Sequence, residues 1–349
     1  MSKCHSSRQL IRHGADSAKS SSGFSLIELM VAMVLGLIVV SGVISVFLAN
    51  QRTYRTNQAL SDVQDGSRIA FEMMARDIRE AGLTGCNNNG RVANVLNNKG
   101  TAWWADWGNA VHGYGAGTAA DPALTVGTAA TNQVSGTDSL QLLGAADSGL
   151  SVAATPSSTA ANFKLNDKTS DIVTGDVIIV CDPDHAAIAQ VTNYNNSNVT
   201  LVHNAGGSTS PGNCSKGLAY PTNCSSPNGN GYKFGPNSQI FKLAAVDWYI
   251  GYNPLGGKSL YRMNVVTTAG VPQPTAQEMV RNVTGMAILY HQAGVDSFVD
   301  AQTVAANWGA VDAVQVQLTV ESVNKRAGTN AKPITRQFTA TSTVRNRVQ

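Results

Sequence analysis

With 349 residues, 33 glycines and a charged fraction of 13%, the chain reads as a weakly charged, loop-rich β-protein. The formal charge of +3 resides wholly in residues 1–23, where Lys3, Arg8, Arg12 and Lys19 face Asp16 alone, so the rest of the chain is neutral and lacks the basic footprint of a nucleic-acid binder. About eighty residues go to a leader and a long helix, and the remainder suits one large domain or two small ones.

The first element opens on Gly23-Phe24-Ser25-Leu26-Ile27-Glu28. From Leu26 through Leu48 the chain holds one carboxylate, Glu28, and no Lys, Arg, Asp, His or Pro. Such a run is long enough to span a hydrocarbon core, and the cations ahead of it place the N-terminus on the cytoplasmic side. A secretory signal peptide would carry a shorter apolar core with its small-residue cleavage site behind it, whereas Gly23 comes before the run. A lone Glu near the edge of a membrane helix is costly unless something uses it, and the bland alternative is a plain N-terminal anchor. The stretch closely resembles the class III signal of type IV prepilins, on Gly23, Phe24, Glu28 and the apolar residues behind them. The resemblance implies that a membrane prepilin peptidase cuts after Gly23 and that Phe24 becomes a methylated N-terminus. It further implies that Glu28 neutralises the N-terminal amine of a neighbouring subunit during assembly.

Beyond Leu48 the helix is expected to continue, because Leu60, Val63, Ser67, Ala70, Met74, Ile78 and Ala81 recur at three- and four-residue steps. No Pro interrupts residues 24–81; Gly36, Gly42 and Gly66 are weak points, and Gly82 is a plausible stop. In the last turn Arg76, Asp77, Arg79 and Glu80 read as the wet side, with Ile78 and Ala81 dry. The stretch from Ala75 to Cys86, A-R-D-I-R-E-A-G-L-T-G-C, resembles the corresponding segment of the PilW family of minor pilins, a family related to the J-type minor pseudopilins of type II secretion.

Of five cysteines, Cys4 lies in the leader, which leaves Cys86, Cys181, Cys214 and Cys224 beyond the membrane run, where disulfides form. Four cysteines allow three connectivities. The expected one has a local Cys214–Cys224 bridge, which would staple the Gly/Ser/Asn/Pro-rich stretch 206–235, and Cys86 then pairs with Cys181. With no CxxC and no His at ligand spacing, zinc is not expected.

Residues 87–136 carry little strand signal, but Trp103, Trp104 and Trp107 form a tight cluster that either covers one end of the core or offers an exposed contact. Strands are expected from Ser139, over 176–181, over 187–191 and from Val199. Asp182-Pro183-Asp184-His185 between them reads as a turn, with calcium as the competing reading. Residues 239–250 and 259–263 flank a glycine-rich turn as a β-hairpin. Residues 278–290 read as a short lead-in and then a strand. Val314, Val316, Leu318 and Val320 alternate with polar residues, and 336–347 closes the chain as a strand with a basic tip. Ile250-Gly251, Leu260-Tyr261-Arg262, Arg336-Gln337-Phe338 and Arg345-Asn346 stand where the PilW family has its Y-I-G, L-Y-R and closing R-x-F and R-N segments; Tyr290-His291-Gln292 departs from the family's usual Y-G.

No catalytic signature, phosphate loop or cofactor motif is present, so no catalytic residue and no cofactor is assigned. The expected fold is α+β and pilin-like: a cleaved leader 1–23, a transmembrane or filament-core helix 24–48, its amphipathic continuation 49–82, and a β-rich head 83–349 with a large loop-rich insertion at 87–235. The resemblance implies a minor pilin that joins a complex priming type IV pilus assembly, at or near the tip. Its expected partners are other minor pilins, the major pilin, the prepilin peptidase, the inner-membrane assembly platform and a tip adhesin. An adhesive or DNA-capturing tip pilin and a type II secretion pseudopilin are the alternatives. The basis for the adhesive reading would be the tryptophans with Arg345 and Arg347.

Overall fold

The structure, a computed structural model, describes residues 23–86, 90–117, 120–328 and 330–345. The leader charges, Cys4, and the closing Asn346 and Arg347 lie outside these residues. The chain divides into two compact units, Met1–Tyr54 and Arg55–Gln349.

Helix α1 runs without a break over Leu26–Glu80, through Gly36, Gly42 and Gly66 alike. In the first unit its apolar residues are exposed throughout. In the second unit Ala59, Val63, Ser67, Ala70, Met74 and Ile78 form the buried stripe, so the three- and four-residue period marks the face that meets the head. Gly82 ends the helix with φ +73, the left-handed conformation that a Cβ disfavours, and its N–H donates to Leu143 O at 2.7 Å. Gly144 lets the two backbones meet there, since a Cβ at that position would lie 2.6 Å from Glu80 O.

Among the described residues fourteen strands follow: β1 (Val92–Asn94), β2 (Val111–Tyr114), β3 (Ser139–Ala154), β4 (Asn162–Leu165), β5 (Val177–Cys181), β6 (Ala186–Gln190), β7 (Asn193–Asn195), β8 (Thr200–Val202), β9 (Gln239–Tyr252), β10 (Lys258–Thr268), β11 (Val271–Arg281), β12 (Val283–Gln292), β13 (Val311–Glu321) and β14 (Thr335–Thr343). The large sheet runs β1-β6-β5-β9-β3-β4-β8-β7, with β10 and β11 extending from β9 and β2 paired to β3; β12-β13-β14 form a second, antiparallel sheet. The fold is α+β, a long N-terminal helix and a head of largely antiparallel sheets.

The first core sets the helix stripe Val63, Ala70, Met74 and Ile78 with Leu140, Trp248, Leu260, Val283, Ile288, Val316 and Leu318. Here β13 behaves as its alternation requires, with Val314, Val316, Leu318 and Val320 buried and Gln317 exposed. Strands β5 and β6 are buried on both faces. Ile178, Val180, Ala187 and Ala189 enter a second core with Phe163 and Phe234, while Ile179, Cys181 and Ile188 enter a third with Trp104. That double burial is why these strands read as continuous apolar runs.

Residues 87–235, expected as a loop-rich insertion, supply β1 to β8 and are hydrogen-bonded into the same large sheet as β9. A second difference concerns residues 278–281, which are the end of β11 rather than a lead-in to the next strand. β11 carries Pro272 and Pro274 and pairs only with β10, at an edge where a missing N–H costs no ladder bond. The β9–β10 hairpin stands as expected: Asn253 N–H donates to Gly257 O, and Asn253 Oδ1 accepts from the N–H groups of Leu255 and Gly257.

His203 is fully buried in the second core, stacked on Phe163 with ring centroids 4.6 Å apart, and neither ring nitrogen has a hydrogen-bond partner among the described residues. Burial pushes its pKa from the ordinary imidazole value of about 6.5 down to about 4. The folded state therefore binds fewer protons than the unfolded state between these values, and stability present above pH 6.5 is lost as pH falls through 4. Burial acts oppositely on Asp247, raising its pKa well above the usual carboxylate range, so its share of stability falls as pH rises. Comparison with His203→Phe isolates the histidine: the stability difference between wild type and variant should shift against wild type by about 3 kcal/mol from pH 6.5 to 4. Urea unfolding across that range measures it, and a pH-independent difference would refute the assignment.

Candidate processing and assembly site

At the start of α1, Ser25 occupies the N-cap position and Glu28 the third helical position. Glu28 N–H donates to Ser25 Oγ at 3.2 Å, and Ser25 N–H donates back to Glu28 Oε2 at 2.9 Å. This reciprocal capping box satisfies two of the amides that a helix start leaves open, and a carboxylate there also faces the positive end of the helix dipole. Phe24 is 89% exposed just ahead of it, and Gly23 is exposed as well. Cleavage between these two residues would leave an amine on Phe24, one residue from the N–H that already holds Glu28. Behind it, α1 is, among the described residues, the helix long and apolar enough to cross a membrane.

At the other end of α1 the structure corrects the wet-side assignment. Arg76, Arg79 and Glu80 are exposed, with Arg76 Nε 3.3 Å from Glu80 Oε1, but Asp77 is turned inward. Its Oδ2 accepts from Arg262 Nε at 2.7 Å and Trp248 Nε1 at 2.9 Å, and its Oδ1 accepts from Arg262 Nη2 at 3.2 Å. The Arg262 guanidinium also lies 5.9 Å from the Trp248 ring centroid and donates to Asn264 Oδ1. One bidentate pair thereby joins the A-R-D-I-R segment of the helix to the L-Y-R segment of β10. Neither segment alone signals the contact, since the partners are 185 residues apart.

Both cysteine bridges are formed. Cys86–Cys181 ties the chain just past the helix to the end of β5, with Cα atoms 5.9 Å apart, and Cys214–Cys224 closes the local loop at 5.2 Å. Lys99 Nζ lies 2.8 Å from Cys224 Sγ, a neighbour that sequence spacing does not suggest. Trp104 is buried in the third core, and Trp103 and Trp107 pack partly buried against it. In the Asp182–His185 turn, Asp182 Oδ1 accepts from the N–H groups of Asp184 and His185, Asp184 pairs with Arg91, and His185 Nε2 lies 2.7 Å from Leu218 O. The residues behind the calcium reading are thus engaged in holding a turn. Arg345 is exposed at the chain's end.

Residues 18–44 match the prokaryotic N-terminal methylation motif. No curated protein and no solved structure matches the chain. The motif supports a pilin-like protein of a type IV pilus or pseudopilus, a structural subunit. It implies processing by a prepilin peptidase and assembly with other pilins, and with the apolar helix it fits membrane anchoring before assembly.

Proposed function

We propose that the protein is a minor pilin of the PilW type, anchored in the inner membrane by residues 24–48 with its leader cytoplasmic and its head periplasmic. It joins other minor pilins in a complex that primes pilus assembly on the membrane platform and stands at or near the tip of the filament, ahead of the major pilin. The observation that carries this reading is the order Gly23, Phe24, capping box, apolar run: a cleavable glycine, a helix ready to begin one residue past the new N-terminus, and one carboxylate set at its mouth. The Asp77–Arg262 pair adds support for the PilW type, because it gives two of the resembling segments a shared physical purpose.

Assembly then exchanges lipid for helix. The exposed apolar face of 26–48 leaves the bilayer for a bundle of like helices, and Glu28 offsets the amine of an adjoining subunit in a dry setting. Intact-mass measurement of the protein from piliated cells tests the first half: the chain should start at methylated Phe24, and any other start removes the reading. Glu28→Ala tests the second. The variant should mature normally, yet be recovered in sheared filaments at a small fraction of the wild-type level, with fewer surface pili; wild-type recovery would remove Glu28 from the mechanism.

A further inference from the structure

Lys99 sets its cation against a disulfide. Its Nζ lies 2.8 Å from Cys224 Sγ and 3.7 Å from Cys214 Sγ, within reach of both sulfurs of one bridge. The lysine is half-buried and takes part in no ion pair among the described residues. Burial holds its pKa below the ordinary lysine range, and no carboxylate nearby offsets that shift. A disulfide is neutral, so the ammonium is desolvated without a counter-charge. Reduction of the bridge would supply one, because a thiolate beside Nζ is the missing anion. The placement is fixed by the backbone. Leu96 bridges to Asn213, Cys214 N–H donates to Val95 O at 2.8 Å, and Asn97 donates from its N–H to Gly212 O at 3.1 Å and from Nδ2 to Pro211 O at 2.9 Å. The turn that carries Lys99 is thus hydrogen-bonded to the chain that leads into Cys214. Cys224 is exposed and Cys214 half-buried, whereas in the long bridge Cys181 is fully buried, its Sγ 3.3 Å from Thr84 O.

We propose that Cys214–Cys224 is a thiol–disulfide exchange site for a dithiol oxidoreductase, with Lys99 as the positioning residue that stabilises the departing thiolate. A thiolate of the partner attacks the exposed Cys224 Sγ. A mixed disulfide forms as the Cys214–Cys224 bond breaks, and Cys214 Sγ leaves with the electron pair. The Lys99 ammonium meets that thiolate, and a leaving thiol of lowered pKa departs faster. The partner's second thiol then gives up its proton, attacks its own sulfur in the mixed disulfide and releases Cys224. Two electrons and two protons pass to this chain, the partner is left as a disulfide, and the reverse sequence closes the bridge. Cys214 keeps its hydrogen bond to Val95 O and the long bridge is untouched, so the exchange releases the loop between Cys214 and Cys224. The two bridges therefore differ in kind: Cys86–Cys181 is the permanent tie and Cys214–Cys224 the exchangeable one.

The test incubates the folded full chain in detergent with dithiothreitol, alkylates the thiols that appear and follows each bridge by peptide mass. Cys214–Cys224 should open at least about tenfold faster than Cys86–Cys181. Lys99→Met should slow the local opening at least about threefold, whereas Lys99→Arg should keep the wild-type rate. Referred to the concentration of reductant thiolate, the wild-type rate should fall on the alkaline side as Lys99 loses its proton, and stay level in both variants. A lysine that only packs the loop predicts the opposite: its removal loosens the bridge, opening accelerates, and the wild-type profile is level. That result overturns the proposal. An unchanged rate in Lys99→Met overturns it too, as does a long bridge that opens as fast as the local one. Should Lys99→Met fail to fold, the wild-type profile decides by itself, and a level profile refutes the role of the lysine.

Discussion

Asp77→Ala should destabilise the head by about 3 kcal/mol, the cost of removing one partner from a largely buried ion pair. The carboxylate accepts three charge-assisted or indole hydrogen bonds, and its side chain is 13% exposed against 25% for Arg262. Without it, the Trp248 N–H is left in the first core with no acceptor and Arg262 keeps only Asn264 and partial solvent. All five tryptophans lie in the head, so their fluorescence follows head unfolding in urea without interference from the apolar helix. The same measurement on Arg262→Met and on the double variant completes the cycle. The double variant should cost at least about 1 kcal/mol less than the two single losses together, because each single change already destroys the shared contact. Strict additivity would show that Asp77 and Arg262 act separately and that the helix end is held by apolar packing alone.

Loss of the long bridge should be comparable in size. Cys86 and Cys181 enclose a separation of 95 residues, for which the chain-entropy account gives a stabilisation of about 4–5 kcal/mol. The Cys214–Cys224 loop, with a separation of 10, comes to about 2–3 kcal/mol on the same account. Cys86→Ala/Cys181→Ala should therefore lower the urea midpoint more than Cys214→Ala/Cys224→Ala does. The reverse order would mean that the Gly/Ser/Asn/Pro-rich stretch depends on its staple more than the helix exit depends on its tie to β5. Alanine at both ends also avoids leaving the buried Cys181 thiol unpaired.

How much of this was legible in the sequence follows from the range of each interaction. Helix α1, its buried stripe from Val63 to Ala81 and its end at Gly82 are written in a local period and a local breaker, and the processing signal lies in six consecutive residues. The β9–β10 hairpin and the alternation of β13 are likewise short-range, since a turn or a two-residue period needs no knowledge of the rest of the chain. The cysteine pairing was reachable because so few cysteines leave so few choices.

Other features depended on surfaces that meet only after folding. Asp77 sits among Arg76, Arg79 and Glu80, and nothing in that turn distinguishes the acid that faces inward; a cation and an indole presented by β10 and β9 decide it. The small strands of 87–235 carry weak period-2 signals because several are only three or four residues long and are held by pairing with longer neighbours. β11 carries Pro272 and Pro274, and only its place at an edge makes those prolines harmless. The bond from Thr56 to Ala327 O, between β13 and β14, was not legible either, because that contact spans 271 residues. Residue types and local periods set the anchor, the cleavage signal and the helix. Which charged groups are buried was settled by tertiary packing, because the desolvation and pairing of a charge depend on neighbours that the chain brings together from afar.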